Sequence, residues 1–246
     1  MRIGFLSDIH SNLEALQVAV EKLESEKVEK IVCIGDIVGY GADPDKCVEI
    51  IKQKADVIVA GNHDWACVGK TDITYFNKHG KAAILWTSSA LTPQHRSFLA
   101  ELSLLYADRD WCAVHSTPSD PVKWKYVLSA ADAIEQFGHF SQKICFIGHL
   151  HVPGMFTDNG EHFQIVVPHE RESVEFRLIK DRRHIINIGS VGQPRDGDIR
   201  GSVAIYDAKA ETVKLIRYEY PVSVTQQKII SAGLPPFLAE RIGKGI

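Results

Sequence analysis

Five apolar segments of the sequence end in aspartate, asparagine or histidine residues. These polar residues are Asp8, His10, Asp36, Asn62, His63, Asp64, His115, His149 and His151. Five of the eleven histidines lie at these positions, whereas the other six are scattered along the chain. Carboxylate, amide and imidazole groups together favour Mn²⁺, Fe or Zn²⁺ over Mg²⁺ and Ca²⁺, which prefer ligand sets made only of oxygen. The sequence therefore predicts a metal site.

The number of candidate ligands predicts two metal ions. The ligands are Asp8, His10, Asp36, Asn62, His115, His149 and His151. Seven ligands are too many for one tetrahedral ion but fit two ions. Asp36 is the natural bridge, because a carboxylate has two oxygens and its strand lies between the others. We expect extended backbone at 8–10 and 149–151, where residues i and i+2 point the same way. Gly35 and Gly148 would let the backbone come close to the metals.

Each of these positions also has an ordinary structural interpretation. The segment "GNHD" at 61–64 is typical of a polar turn that closes a strand, because Gly and Asn are common turn residues. A single aspartate after a strand is usually a helix cap, and a single histidine is more often structural than a ligand. These interpretations would have to hold independently at five strand ends, so the pattern favours a functional site that is built on turns.

The first three apolar segments are predicted to be strands, at 3–6, 31–35 and 57–61. Their apolar composition is typical of a parallel sheet that is covered by helices on both faces. Ligands of such sheets bind beyond the carboxyl ends of the strands. We therefore expect the polar residues to converge at one edge of the sheet.

Two helical patterns fill the gaps between these strands. Residues 13, 16, 20 and 23 are apolar and share one helical face. Ser11 and Glu14 match a capping box at the start of this helix. Residues 43–53 predict the second helix, with Pro44 near its first turn. The alternation of strand and helix indicates βαβ units.

The rest of the chain predicts a more varied structure. Residues 65–105 indicate two or three short helices that form a cap. Strand patterns return at 110–116 and 143–151, with a helical pattern at 129–137 between them. Hairpin-like segments over 153–220 predict a second, mainly antiparallel sheet. The last 25 residues predict one or two surface helices.

Composition excludes several classes of protein. The net charge of −3 argues against a bulk electrostatic partner such as duplex nucleic acid. The five cysteines show no CxxC spacing and are predicted to be buried thiols in a reducing compartment. No apolar run approaches the length of a membrane span, and the first residues do not match a secretory signal. We expect a cytoplasmic protein.

The order of the polar blocks resembles the calcineurin-like metallophosphoesterase family, in its bacterial branch of diadenosine tetraphosphatase-like and protein phosphatase-like members. The blocks are "DIH" at 8–10, "GDIVG" at 35–39, "GNHD" at 61–64, "VHS" at 114–116 and "GHLH" at 148–151, and "NIGSVGQPRD" at 187–196 resembles the closing loop of bacterial members. The resemblance implies an α/β fold. This fold is a four-layer αββα sandwich of two mixed β-sheets flanked by helices, with a small helical cap at about 65–105. Residues 1–246 would form one domain.

The resemblance also implies a role for each residue. One metal would be bound by Asp8, His10, Asp36 and His151, and the other by Asp36, Asn62, His115 and His149. His63 matches the non-ligand histidine that contacts the phosphate or protonates the leaving group. Asp64 would orient His63 through its other ring nitrogen.

The implied function is that of a binuclear metal-dependent phosphoesterase. A hydroxide that bridges two Mn, Fe or Zn ions would attack a phosphomonoester, a phosphodiester or a nucleotide polyphosphate. The partner would be a small phosphorylated or nucleotide-like substrate. The alternative is a catalytically silent binding or scaffold module of the same fold, which would be expected to lose ligands or the catalytic histidine. None of these residues is missing here.

Two further segments have open interpretations. Arg195 could pair bidentately with a substrate phosphate, or it could be an exposed loop residue beside Asp196 and Asp198. Lys123, Trp124 and Lys125 could flank the substrate, or they could form a surface loop anchored by one aromatic residue.

Overall fold

Twelve strands form two mixed six-stranded sheets in the computed structural model, which describes residues 1–246. In spatial order, the first sheet contains β3 (Val57–Ile58), β2 (Lys30–Cys33), β1 (Arg2–Leu6), β11 (Gly201–Asp207), β12 (Thr212–Tyr218) and β9 (Ser173–Arg177). The second sheet contains β4 (Leu105–Ala107), β5 (Trp111–Val114), β6 (Ile144–Ile147), β10 (His184–Asn187), β7 (Gly154–Thr157) and β8 (His162–Gln164).

Eight α-helices flank the two sheets. They are α1 (Leu13–Ser25), α2 (Pro44–Lys54), α3 (Asn62–Cys67), α4 (Lys78–Ala90), α5 (Pro93–Glu101), α6 (Ala130–Gln136), α7 (Val222–Ser231) and α8 (Pro236–Ile242). Apolar residues of α1, α2, α4 and α5 pack on the first sheet, and those of α6 pack on the second. The αββα sandwich is therefore confirmed. None of these helices is long and apolar enough to cross a membrane.

The core between the sheets joins the strands that lead to the polar residues. Phe5 of β1 stacks on Phe146 of β6 with ring centroids 3.9 Å apart, and Trp111 of β5 meets Phe5 edge-on at 5.3 Å. Aromatic pairs of this geometry stabilise a core beyond their buried area. The packing of these three rings fixes β1, β5 and β6 relative to one another, and it thereby fixes where the loop after each strand begins.

The predicted second antiparallel sheet is wrong in one respect. The hairpin segments do not form a sheet of their own, because β9, β11 and β12 extend the first sheet and β7, β8 and β10 extend the second. β11 pairs antiparallel with β1, whereas β10 pairs parallel with β6. Turn signals identify hairpins locally, but they do not show which existing sheet edge a hairpin will join.

Two local predictions also need correction. The cap of α1 is Asn12, whose side chain accepts from the Ala15 N–H, so the predicted capping box of Ser11 and Glu14 does not form. Residues 62–64 open α3 and are not a simple turn. The helix at 44–54 starts at Pro44, as predicted.

The predicted cap is helical, but most of it belongs to the layer on the first sheet. Ile84 and Leu99 are fully buried in the same core cluster as Leu16 and Ile51. Only the segment at 65–77 reaches over the cavity at the polar strand ends. The helices α4 and α5 therefore support this segment and do not cover the cavity.

A buried ion-pair network fastens α7 to the helices of the first sheet. Lys228 donates to Glu14 and, at 2.8 Å, to Asp43. Both carboxylates are about nine-tenths buried, whereas the Lys228 side chain is 33% exposed. Burial opposes the charge of Lys228, but Asp43 and Glu14 outweigh burial and raise its pKa. One cation thus neutralises two buried carboxylates.

Lys228→Met is expected to destabilise the fold by about 2 kcal/mol, because it leaves the buried Glu14 without a cation and Asp43 with only Lys46, at 2.9 Å. Partial exposure reduces the loss. The midpoint of urea unfolding measures this change. Lys209→Met is the matched control, because Lys209 is exposed and its side chain forms no ion pair. Equal midpoints for the two variants would show that the network contributes little.

Candidate active site

The structure brings the polar strand ends together at one edge of the sandwich. Ligand atoms of three groups lie within 4.8 Å of one another, and the groups are Asp8, His10 and His151; His10, Asp36 and His63; and Asp36, His115 and His149. Asn62 lines the same cavity as Asp36 and His63. Asp36 links the groups, since its Oδ2 lies 3.6 Å from His10 Nε2 and 3.3 Å from His115 Nε2.

Backbone carbonyl groups set the orientation of the four candidate histidine ligands. The Nδ1 atoms of His10, His115 and His151 donate to the carbonyl oxygens of Val38, Ile34 and Gln193, at 3.2, 2.7 and 2.6 Å. A carbonyl oxygen only accepts, so Nδ1 carries a proton and Nε2 faces the cluster. The two ring nitrogens of His149 have the opposite roles. Its Nε2 donates to the Trp124 carbonyl oxygen at 2.9 Å, and its Nδ1 faces the cluster. Metal-binding histidines are typically oriented in this way.

Several polar atoms of the cluster are buried without a hydrogen-bond partner. They are Asp8 Oδ1, Asn62 Oδ1, His63 Nδ1 and His115 Nε2. Buried polar atoms normally have a partner, and each exception requires an explanation. A cation would supply the missing partner for the two oxygens and for His115. The donor set and its burial therefore fit metal ions, as the sequence predicts.

The backbone at these strand ends differs from the predicted extended conformation. Asp8, His10, Asp36, His149 and His151 all have φ between 51° and 69°. Positive φ is uncommon for residues other than glycine and carries strain. The chain therefore turns sharply after β1, β2 and β6, and the side chains of these three loops converge because of the turns and not because of strand alternation.

Glycine allows the strand-end loops to touch one another. A Cβ atom on Gly61 would lie 2.1 Å from Asp36 Oδ1, and one on Gly148 would lie 2.1 Å from Ser7 Oγ. Neither position has room for a side chain. These glycines therefore let neighbouring loops touch, and the approach of the Gly148 backbone to the metals stays a prediction.

The carboxylates and histidines of the cluster shift one another's pKa. Burial raises the pKa of both Asp8 and Asp36. His151 and His115 outweigh burial at Asp8 and hold its pKa below the usual range. His115 and His63 do the same at Asp36. Burial lowers the pKa of His115, yet Asp36 outweighs it and raises that pKa to about 9. A cation that binds His115 must therefore displace a proton.

His63 lies in an aromatic setting beside the cluster. Its ring centroid lies 4.3 Å from that of Tyr40 and 5.1 Å from that of Phe76. A Cβ on Gly39 would lie 2.6 Å from His63 Nδ1, so a glycine is required there. Burial lowers the pKa of His63 to about 4, although Asp36 opposes this change. The imidazole is therefore neutral near pH 7 until an anion arrives to raise its pKa.

The predicted hydrogen bond between Asp64 and His63 is absent. Asp64 accepts from the N–H groups of Gly61 at 2.9 Å and Val38 at 3.1 Å, and His63 Nδ1 has no hydrogen-bond partner. Burial and the nearby Asp36 raise the pKa of Asp64 to about 7. Asp64 therefore joins the loops after β2 and β3, and the surrounding rings hold His63.

The cluster opens into a cavity of about 650 Å³. One side carries Trp65 and Trp124, whose ring centroids lie 5.9 Å apart. Trp124 has φ of 51°, a rare value for a bulky residue, and its carbonyl group holds His149. The interpretation of Trp124 as part of a surface loop is therefore incomplete. Lys123 also lines the cavity, whereas Lys125 is not among its lining residues.

Arg195 also lines this cavity. Its neighbours Asp196 and Asp198 do not pair with it, because Arg217 donates to Asp196 and Arg200 donates to Asp198 at 2.7 Å. Arg195 donates instead to Gln193 Oε1 at 2.7 Å, and its own Nε has no partner. The alternative of an exposed arginine beside two acids therefore does not describe this loop.

Sequence reasoning missed several residues of the cavity. Tyr40, Phe76, Tyr126 and Arg241 line it, and Tyr126 stacks on His149 with ring centroids 4.1 Å apart. Tyr40 directly follows the "GDIVG" block, and this position is the one sequence signal that could have identified it as a cavity residue. The others lie in loops or in the C-terminal helix, where no spacing pattern marks them.

Comparison with known proteins gives a consistent result over nearly the whole chain. The calcineurin-like phosphoesterase superfamily domain matches residues 1–211. An uncharacterised protein of Methanocaldococcus jannaschii is 37% identical over 247 aligned positions, which cover 99% of this chain and 98% of that protein.

Two solved structures are similar along their full length. A metallophosphoesterase from Sphaerobacter thermophilus superposes with a TM-score of 0.88 at 37% identity and covers 100% of this chain and 99% of its own. A hypothetical protein from Pyrococcus horikoshii has a TM-score of 0.80 at 20% identity, with 100% and 98% covered. The second likeness concerns the fold alone.

Proposed function

The chain belongs to the calcineurin-like phosphoesterase superfamily, and on this basis we propose that residues 1–246 form one metal-dependent phosphoesterase domain. Its reaction is the hydrolysis of a phosphomonoester, a phosphodiester or a nucleotide polyphosphate. The observation that carries this proposal is the buried cluster around Asp36, in which unpartnered oxygen and nitrogen atoms face one another.

The cluster divides into two candidate metal sites that share Asp36. Asp8, His10 and His151 lie on one side, and His115 and His149 lie on the other. Asn62 joins the second side as a neutral ligand, which adds no negative charge. When bound, two metal ions would neutralise the phosphoryl oxygens and activate a water molecule near neutral pH. Their identity is Mn, Fe or Zn, as the mixture of nitrogen and oxygen donors favours.

His63 and Arg195 act on the substrate. Arg195 pairs with phosphoryl oxygens, for which a guanidinium has a matching geometry. His63 is neutral in the free protein, but the charge of a bound phosphate raises its pKa, so it takes up a proton. It then donates this proton to the departing oxygen. Tyr40 and Phe76 keep its ring in place for this step.

The substrate is a small phosphorylated or nucleotide-like molecule. A cavity of about 650 Å³ lies within the range of small-ligand sites. Trp65 and Trp124 offer aromatic surface next to the cluster, which suits a planar group such as a nucleobase. These features support the proposal over a macromolecular substrate.

The experiment is the hydrolysis of p-nitrophenyl phosphate and bis(p-nitrophenyl) phosphate with Mn²⁺, with and without chelator. We expect turnover that is lost in chelator and returns when excess Mn²⁺ is added, because the ligand cluster requires a cation. The ratio of the two rates distinguishes a monoesterase from a diesterase. No metal-dependent turnover on these esters or on dinucleoside polyphosphates would favour the scaffold alternative.

A further inference from the structure

Two arginines line the same cavity and come from distant parts of the chain. Arg195 lies in the loop between β10 and β11, and Arg241 lies in α8. Helix α8 follows the last residue of the family match at 211. Arg241 therefore lies outside the part of the chain that matches the superfamily domain.

Packing places the Arg241 side chain at the cavity. Its guanidinium carbon lies 5.7 Å from the ring centroids of both Tyr40 and Phe237. Its Nε donates to the main-chain oxygen of Ile246, the last residue, at 2.7 Å. Arginine next to aromatic faces is held in a defined orientation.

No acidic side chain pairs with either arginine. The acids beside Arg195 in sequence are occupied by Arg200 and Arg217. Burial lowers the pKa of Arg241 to about 10, and the charge of Arg195 contributes to this change. Both guanidiniums line one cavity, so an anion bound there would meet two positive charges.

The two arginines contact different parts of the cavity wall. The Arg195 backbone N–H donates to the carbonyl oxygen of His151, which belongs to the buried cluster. Arg241 lies instead over the rings of Tyr40 and Phe237. Arg195 is therefore the arginine that is joined directly to the cluster.

We propose that Arg195 and Arg241 form a second anion subsite, so that the substrate is a phosphoester carrying a further phosphoryl or carboxylate group. This inference rests on the proposed function, in which the Asp36 cluster holds the phosphoryl group that is cleaved. A guanidinium pair binds an oxyanion through several charge-assisted hydrogen bonds. Arg241 selects substrates in this arrangement and takes no part in the reaction itself.

The test compares three flexible esters that differ only at the far end. These are 3-hydroxypropyl phosphate, propane-1,3-diyl bisphosphate and 3-(phosphonooxy)propanoate. KM is measured with the Mn²⁺-loaded full chain, or Kd by calorimetry if an ester is not turned over. We expect the wild-type protein to prefer at least one anionic ester over the hydroxyl ester by about tenfold or more, the worth of a charged hydrogen bond. The preferred ester identifies the second group as phosphoryl or carboxylate.

Arg241→Gln is expected to abolish this preference, and Arg241→Lys to restore part of it. Arg109→Gln removes the same charge from an exposed residue and should leave the preference intact. The inference is overturned if wild type shows no preference, or if Arg241→Gln affects all three esters equally. The calorimetric readout separates this failure from failure of the proposed function, because it does not need turnover.

Discussion

Replacement of His63 by alanine is expected to lower kcat for an alkyl phosphoester by about 10²–10⁴-fold, the usual contribution of a general acid. The alkoxide leaving group is a strong base and must be protonated as it departs. Bound metal should stay at the wild-type level, because the His63 ring lies beside the ligand cluster and is not in the proposed ligand set. The measurement is kcat for 3-hydroxypropyl phosphate together with metal content by mass spectrometry.

A second substrate makes this prediction sharper. p-Nitrophenolate is a stable anion that leaves without a proton, so His63→Ala should reduce p-nitrophenyl phosphate hydrolysis much less. His169→Ala is the control, because His169 is an exposed histidine outside the cluster. Loss of metal in His63→Ala would instead make His63 a ligand. An equal loss of kcat on both esters would mean that His63 helps to bind the substrate but transfers no proton.

The change with the widest expected effect is Asp36→Asn. Asp36 Oδ1 accepts from the backbone N–H of His63 at 2.8 Å, and Asp36 Oδ2 lies between the rings of His10 and His115. Asparagine keeps the size and one acceptor oxygen, but it loses the charge and the second oxygen that two cations would share. We expect metal content to fall by half or more and kcat to fall by about three orders of magnitude, equivalent to about 4 kcal/mol of transition-state stabilisation.

The control for Asp36→Asn is Asp110→Asn, which removes a carboxylate from an exposed turn. Circular dichroism and the thermal midpoint show whether Asp36→Asn still folds. If both metals remain and turnover persists in Asp36→Asn, Asp36 does not bridge them. In that case the two groups of ligands would act as separate sites.

Much of the architecture could be predicted from the sequence, because local rules apply to it. Apolar segments with polar ends predicted the strands that lead to Asp8, Asp36 and His115, and the structure brings these residues together. β1 and β2 are parallel neighbours in the first sheet, so Asp8 and Asp36 meet at its edge. His115 follows β5 of the second sheet, and it reaches them because the two sheets pack face to face. The helix that begins at Pro44 was predicted for a similar reason, because proline favours the first helical turn.

The failed predictions concern contacts between segments that are distant in sequence. Asp64 was expected to orient His63, but it accepts from Gly61 and Val38. The outcome depends on how the loops after β2 and β3 pack, and neither loop specifies this packing alone. The hairpin strands likewise pair with strands of two different sheets. A turn signal in the sequence does not show which strand a hairpin will pair with.

The sequence by itself determined the candidate ligands, their order and the family, since residue identity at strand ends is local information. Only the tertiary structure decided how those side chains face one another, through turns with positive φ and glycines that admit a neighbouring loop. It also decided that Arg241, about 45 residues beyond Arg195, shares a cavity with it. Long-range packing of α8 on Tyr40 makes that contact, and packing between distant segments leaves no periodic signal in a sequence.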